Sequence, residues 1–237
     1  TLFREHNLGC RKAVSEALAW FFNHEEEGIV LEDDCLPDMS FFPYAQTLLA
    51  RYRHDTRIAT ISGDYFNGNT YRTRHSYFFS RYPYCWGWAS WRRTWDCYAA
   101  EMSQWPTLRE TDWLLAIGDG DRDFQQYWAQ LLDEIYFKGS PDSWAAVYVN
   151  SCWAQKAISI LPSRNIVSNL GNGEDATHTT SSKSENSRIA LEKLSFPLEH
   201  PSTVVRSYQA DRWAHENLYK KLSWDKRVLA KLKSLIR

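Results

Sequence analysis

The stretch Gly28-Ile-Val-Leu-Glu-Asp-Asp-Cys-Leu-Pro37 constrains this chain more than any other. An apolar run, Ile29-Val30-Leu31, leads directly into three consecutive acids, Glu32, Asp33 and Asp34, and Cys35-Leu36-Pro37 stops it. The run predicts a short buried strand. Carboxylates are rarely buried unless a cation or a set of donors meets them. In open α/β sheets the ligand crevice lies outside the carboxyl ends of the strands. A hard divalent ion shared with phosphate oxygens suits acids placed there. The competing reading is an acidic turn that caps the next helix.

The flanking chain supports a layered α/β fold. Residues 11–24 space Ala13, Val14, Ala17, Leu18, Phe21 and Phe22 on one helical face. A charged turn ending at Gly28 stops that helix. Helix, turn and buried strand make half of a βαβ unit. The sequence opens on Thr1 and a loop through Gly9, so the first strand or strands are expected upstream. A second helix is expected over about 41–53 and a strand over 58–63 ending at Gly63. Residues 64–76 read as a polar surface loop, and Tyr77–Ser80 as a strand. Tyr82–Trp91 is the densest aromatic stretch; Gly87, between Trp86 and Trp88, marks a place where backbone comes close to something. A hydrophobic core turn is the plainer account of it. A helix is expected to start at Ser90–Arg93 and reach Tyr98, and another to cover 124–137. Residues 145–153 are apolar enough for a buried strand or helix, and 158–162 and 166–169 read as strands.

Composition excludes some classes. The net charge of −1 gives no basic field for nucleic acid. The five cysteines are scattered without a CxxC pair, which argues against a zinc knuckle and for reduced thiols in a cytoplasmic setting. No apolar run reaches the length of a membrane span. The 12 Trp, 13 Tyr and 11 Phe are a high load of rings, suited to sugar-facing surfaces or to cores. Residues 203–237 are helical in pattern, with Lys226, Arg227, Lys231, Lys233 and Arg237 opposite Trp224, Val228, Leu229, Leu232, Leu235 and Ile236. Such a basic amphipathic end suits peripheral contact with an anionic membrane, at the inner face of the plasma membrane for a cytoplasmic protein; the alternative is a solvated helix packed on its own domain.

These pieces together resemble the nucleotide-diphospho-sugar transferases of the GT-A fold, and within them a bacterial group labelled glycosyltransferase family 2-like or hemolysin-like. The resemblance rests on Asn7-Leu-Gly9, Gly28–Asp34, Ile61-Ser-Gly63, Trp86-Gly-Trp-Ala-Ser-Trp91, Asp142-Ser-Trp144 and Asn169-Leu-Gly-Asn-Gly-Glu-Asp-Ala-Thr-His178, in that order along residues 4–180. It implies a Rossmann-like, mixed but mostly parallel sheet flanked by helices. It also implies a transferase domain over 1–180, a linker over 181–202 and a helical C-terminal extension over 203–237.

The resemblance further implies a metal-dependent transfer of a sugar from a nucleotide-diphosphate donor to a glycan or lipid-linked acceptor, in surface polysaccharide synthesis. The family's DxD-type motif falls on Glu32-Asp33-Asp34. Asp34 would hold Mn²⁺ or Mg²⁺, joined by the late His178, while Glu32 and Asp33 would meet the donor. Trp86, Gly87 and Trp88 match a loop that approaches the donor or acceptor. The base that deprotonates the acceptor is sought among Asp121, Asp123 and Asp142, with Asp142 favoured and Asp123 second; an N-cap role competes for both. Relatives often carry an acid directly after the Asp-Ser/Thr-Trp triplet, where this chain has Ala145. Two other functions compete: a non-catalytic, glycan-binding transferase-like domain, and a nucleotidyltransferase.

Overall fold

The computed structural model describes residues 1–66, 71–171 and 189–219. The elements run α1 (Cys10–His24), β1 (Glu27–Val30), β2 (Cys35–Pro37), α2 (Phe41–Tyr52), β3 (Ile58–Ser62), β4 (Tyr77–Ser80), β5 (Trp88–Trp91) and α3 (Arg92–Trp95). There follow α4 (Trp105–Arg109), α5 (Trp113–Ile117), α6 (Arg122–Lys138), α7 (Trp144–Ala154), β6 (Ile158–Pro162), β7 (Val167–Asn169) and α8 (Tyr208–Ala214), which continues into a π-helical turn at His215–Tyr219.

The fold is mixed α/β. Five strands form one sheet in the order β1-β5-β3-β6-β4, and β2 pairs with β7 in a separate two-stranded ribbon. The expectation of a mostly parallel sheet is corrected: only β3 and β6 pair in parallel, and the other three pairings of the large sheet are antiparallel. The reason is β5. Trp88–Trp91 is a strand inserted between β1 and β3, where the sequence suggested a turn running into a helix. The helix after it is a single turn, α3. Despite this insertion, β1, β3 and β6 run in the same direction, so their carboxyl ends share one edge of the sheet.

Alternation along β5 builds the layers on either side. Trp88 joins Leu18, Phe22, Trp95, Trp144 and Tyr148 on the face covered by α1 and α7. Ala89 and Trp91 join Phe41, Tyr44, Leu48 and Ile61 on the face covered by α2. A period of two in side-chain direction thus places a tryptophan in each layer. Residues 144–154 are helical, which decides between the two readings of that apolar run. A third core unites α6, α7 and α8 with Tyr82, Phe78 and Leu161. Most of the chain's rings are spent in these cores.

The stretch expected as a linker is, where described, laid along the domain. Glu192 N–H donates to the Asn165 carbonyl, Leu194 N–H to Ser40 Oγ, and Ser76 and Glu199 bond each other's backbone and side chain. Leu194 and Leu198 are buried. The extended chain then bridges Arg206 to Phe79 before α8 begins at Tyr208, later than the expected 203. The basic residues 224–237 lie outside the described residues. Among the described residues no helix is long and apolar enough to cross a membrane.

Candidate active site

The chain leaves β1 at Val30 and turns at the carboxyl edge of the sheet. The Cys35 N–H closes this turn on the Glu32 carbonyl at 3.0 Å. The β2–β7 ribbon then holds it, with Cys35 opposite Asn169 and Pro37 opposite Val167. Leu170 N–H donates to the Asp34 carbonyl at 2.8 Å, and a Cβ at Gly171 would collide with the Asp34 carboxylate. The Leu170–Gly171 segment is therefore packed directly on Asp34. His178, Gly173 and Asp175, further along the same block, lie outside the described residues.

The acids are crowded, and among the described residues no counter-charge pairs with them. Burial, then the neighbouring Asp34 and Asp33, push the Glu32 carboxyl above its usual range; the Trp144 indole, directed at it, partly offsets this. Glu32 and Asp34 are half-buried and Asp33 is exposed. Among the described residues no ion pair involves Glu32, Asp33, Asp34 or Asp142. Uncompensated carboxylates at a sheet edge repel one another and favour any cation that reaches them.

The structure brings Asp142-Ser143-Trp144 to the same place. Trp144 meets Glu32, and its ring stacks on Trp88 with centroids 5.7 Å apart. Asp142 lies against the start of α1, where a Cβ on Gly9 would fall 2.6 Å from its Oδ2. Burial raises the Cys10 thiol, and Glu32 and Asp142 raise it further, so one half-buried thiol senses both acids. The N-cap of α7 is Ser143, whose Oγ accepts from Ala146 N–H; Asp142 is exposed and has no capping duty.

Asp123 is placed elsewhere. It sits in the first turn of α6, whose cap Asp121 accepts from the Asp123 and Phe124 N–H groups. Asp121 in turn lies 3.7 Å from His215. Neither acid is among the groups that perturb Glu32 or Cys10.

The Trp-Gly-Trp turn holds the edge together from inside. Gly87 has φ of +64°, and a Cβ there would meet Val167 at 2.8 Å and Leu31 at 3.0 Å. The Gly63 N–H donates to the Gly87 carbonyl at 2.7 Å. The close approach that Gly87 permits is to this protein's own β1 exit and β7. Trp88 is 0% exposed and has no surface to offer a ligand. Trp86 is half-buried, edge-to-face with Phe66 at 4.8 Å, and remains the one ring of the turn with open surface.

One acid at this edge escaped the sequence reading. Asp64 lies two residues past the end of β3 and is 1% exposed, with Oδ1 lacking a hydrogen-bond partner. Burial raises its carboxyl far above the usual range, against hydrogen bonds from its own N–H and that of Trp86. The sequence reading placed it at the start of the polar loop over 64–76, one residue past the expected strand end at Gly63.

No protein-family model matches this sequence and no curated protein matches it.

Proposed function

We propose that the chain carries the sugar-nucleotide end of a metal-dependent glycosyltransferase. The observation that carries this reading is the meeting of Glu32-Asp33-Asp34 with Asp142-Ser143-Trp144 at the carboxyl edge of β1 and β3, with no cation paired to them among the described residues. Among the described residues no three His, Cys, Asp or Glu side chains converge as a complete metal cage. A cage is not what Mg²⁺ or Mn²⁺ needs with a nucleotide, since one or two carboxylates plus substrate phosphates suffice. Hard oxygen donors in excess of positive charge fit such an ion. Asp34 would hold it, with its backbone fixed by Leu170 and its side chain backed by Gly171.

The bound ion would offset negative charge on the departing diphosphate. The chain's own residues supply the rest. Asp142, exposed and free of a capping role, would accept the proton of the acceptor hydroxyl. Trp144 orients Glu32 beside the donor, and the exposed Asp33 offers a carboxylate to donor hydroxyls. Trp86 would form an apolar wall, with Asp64 buried beside it and its carboxyl raised by that burial. The burial of Trp88, and of most other rings, favours this reading over an aromatic glycan-binding platform.

A radiolabelled panel of nucleotide-diphosphate sugars, incubated with and without Mn²⁺, tests the reading by following donor hydrolysis or transfer to glycan acceptors. The expected result is Mn²⁺-dependent turnover of at least one donor that is lost in Asp142→Asn. Turnover unaffected by both metal removal and Asp142→Asn would overturn it.

A further inference from the structure

A second site lies at the opposite edge of the sheet from the acids. There the first residue of β3, Ile58, and Ala157, just before β6, line a cavity of about 270 Å³ together with α7 and the chain around α3. Small-molecule sites commonly span roughly 300–1,000 Å³. This one is therefore sized for a small metabolite.

Its lining carries a single formal charge, the guanidinium of Arg93, and no Asp or Glu. Arg93 is half-buried and stacked over the Trp91 ring at 4.2 Å. Its Nε donates to the Arg53 carbonyl at 3.0 Å, Nη1 to the Ile58 carbonyl at 2.9 Å, and Nη2 to the Tyr52 carbonyl at 3.1 Å, with Thr94 Oγ1 at 3.4 Å from Nη1. A guanidinium has five N–H groups. Four are spent, all on neutral acceptors, which leaves one on Nη2. Among the described residues Arg93 makes no ion pair; the nearby Asp55 is held by Arg57 at 2.9 and 2.6 Å.

The remaining wall mixes apolar residues with polar, uncharged ones. Gln155 is exposed at the rim, and Cys97 is half-buried. The buried Tyr148 hydroxyl lies among Ser90, Thr60 and Cys152. Asp55 acts on Arg93 through space without pairing with it among the described residues. A cation with no ion-paired carboxylate, in a cavity whose described lining holds no acid, favours negative charge.

We propose that this cavity binds a small organic anion, a carboxylate or a phosphate monoester, whose charged group faces Arg93. The site is independent of the transferase reading, because it uses none of the residues at the acidic edge.

Cys97 lines the cavity and reports on its occupancy. The full chain is treated with iodoacetamide and the rate of Cys97 modification is followed by peptide mass mapping, with Cys10 at the far edge as the internal control. Glycerol 3-phosphate, succinate and uncharged glycerol are compared at equal millimolar concentration. At least one of the two anions is expected to slow Cys97 modification threefold or more, with Cys10 unchanged and glycerol without effect. Phosphate against carboxylate protection identifies the preferred head group. Gln155→Glu, nearly isosteric and at the exposed rim, is expected to abolish the protection, as is Arg93→Gln; Asp34→Ala is expected to retain it. Absence of protection by both anions, equal protection by glycerol, or undiminished protection in Gln155→Glu would overturn the proposal.

Discussion

Two clusters of acids in this protein are built alike and balanced differently. At the start of α8, Asp211 is 0% exposed and accepts from Ser80 Oγ at 2.6 Å and from Arg206 Nη1 at 2.8 Å. Arg81 lies 3.4 Å from Asp211 and 2.7 Å from Asp119, which Arg206 also meets. Burial raises the Asp211 carboxyl, and Ser80, Arg81 and Arg206 oppose the rise. Two cations face two anions, and the network closes on itself. It fastens the C-terminal segment to β4. At the end of β1, by contrast, Glu32, Asp33 and Asp34 crowd one another, Asp142 shares the Cys10 thiol with Glu32 as a neighbour, and no described cation pairs with any of them. A cluster that satisfies its own charge is a clasp, whereas one that leaves charge over points to something from solution. Arg93, with its sign reversed, belongs to the second kind.

Breaking the clasp should have the largest effect. Asp211→Ala leaves Arg81 buried and under-compensated, and removing one partner of a buried pair typically costs about 3–5 kcal/mol. The melting temperature should fall by about 10 °C or more, as a chain of this size loses roughly 2–4 °C per kcal/mol. A change within about 2 °C would place the network among ordinary surface charges.

Next comes Asp142→Asn. A positioned general base is worth on the order of 10²–10³ in rate, or about 3–4 kcal/mol. The expected outcome is that loss in kcat with stability and donor affinity unchanged, read from steady-state kinetics beside a melting curve. A matching loss of stability would move Asp142 from the site to the scaffold.

Glu32→Gln should act in the opposite direction on stability. The folded-state carboxyl of Glu32 is raised above its ordinary 4.5. Between 4.5 and that raised value the folded chain holds a proton that the unfolded chain has released. Stability from this group therefore falls as pH rises through that window and stays lower above it. Removing the charge should raise the metal-free melting temperature at pH 7 by roughly 1–3 °C, the effect of a gain below about 1 kcal/mol. The difference from wild type should vanish below pH 4. Destabilisation at pH 7 would show that Glu32 is already compensated.

Much of this arrangement was legible in the sequence. Helix α6 declared itself by its apolar period over 124–137, although its cap is Asp121 and not Asp123. Helix α1, β6 and the acids at the end of β1 were equally plain. What stayed hidden depends on pairing across the chain. Trp88–Trp91 reads the same whether it turns in a core or forms a strand, and only its neighbours β1 and β3 decide. Gly87 announced a close approach, but its partners, Val167 and Leu31, are far away in sequence. Asp142 was visible as an acid beside a tryptophan; that the tryptophan reaches Glu32 is a property of how α7 packs against β5. Asp64 was missed because it was read as the first residue of a polar surface loop, and only the packing of the chain around it shows that it is buried.

The central claim is that the unbalanced acids of the β1 end hold a divalent ion against a nucleoside diphosphate. Isothermal titration calorimetry of the full chain with UDP and GDP, with and without Mn²⁺, tests it most directly when wild type and Asp34→Ala are run side by side. The account predicts that Mn²⁺ tightens binding of at least one nucleotide by tenfold or more in wild type, about 1.4 kcal/mol, and that Asp34→Ala abolishes the gain. An equal Mn²⁺-dependent gain in Asp34→Ala, or no gain in wild type, would contradict it.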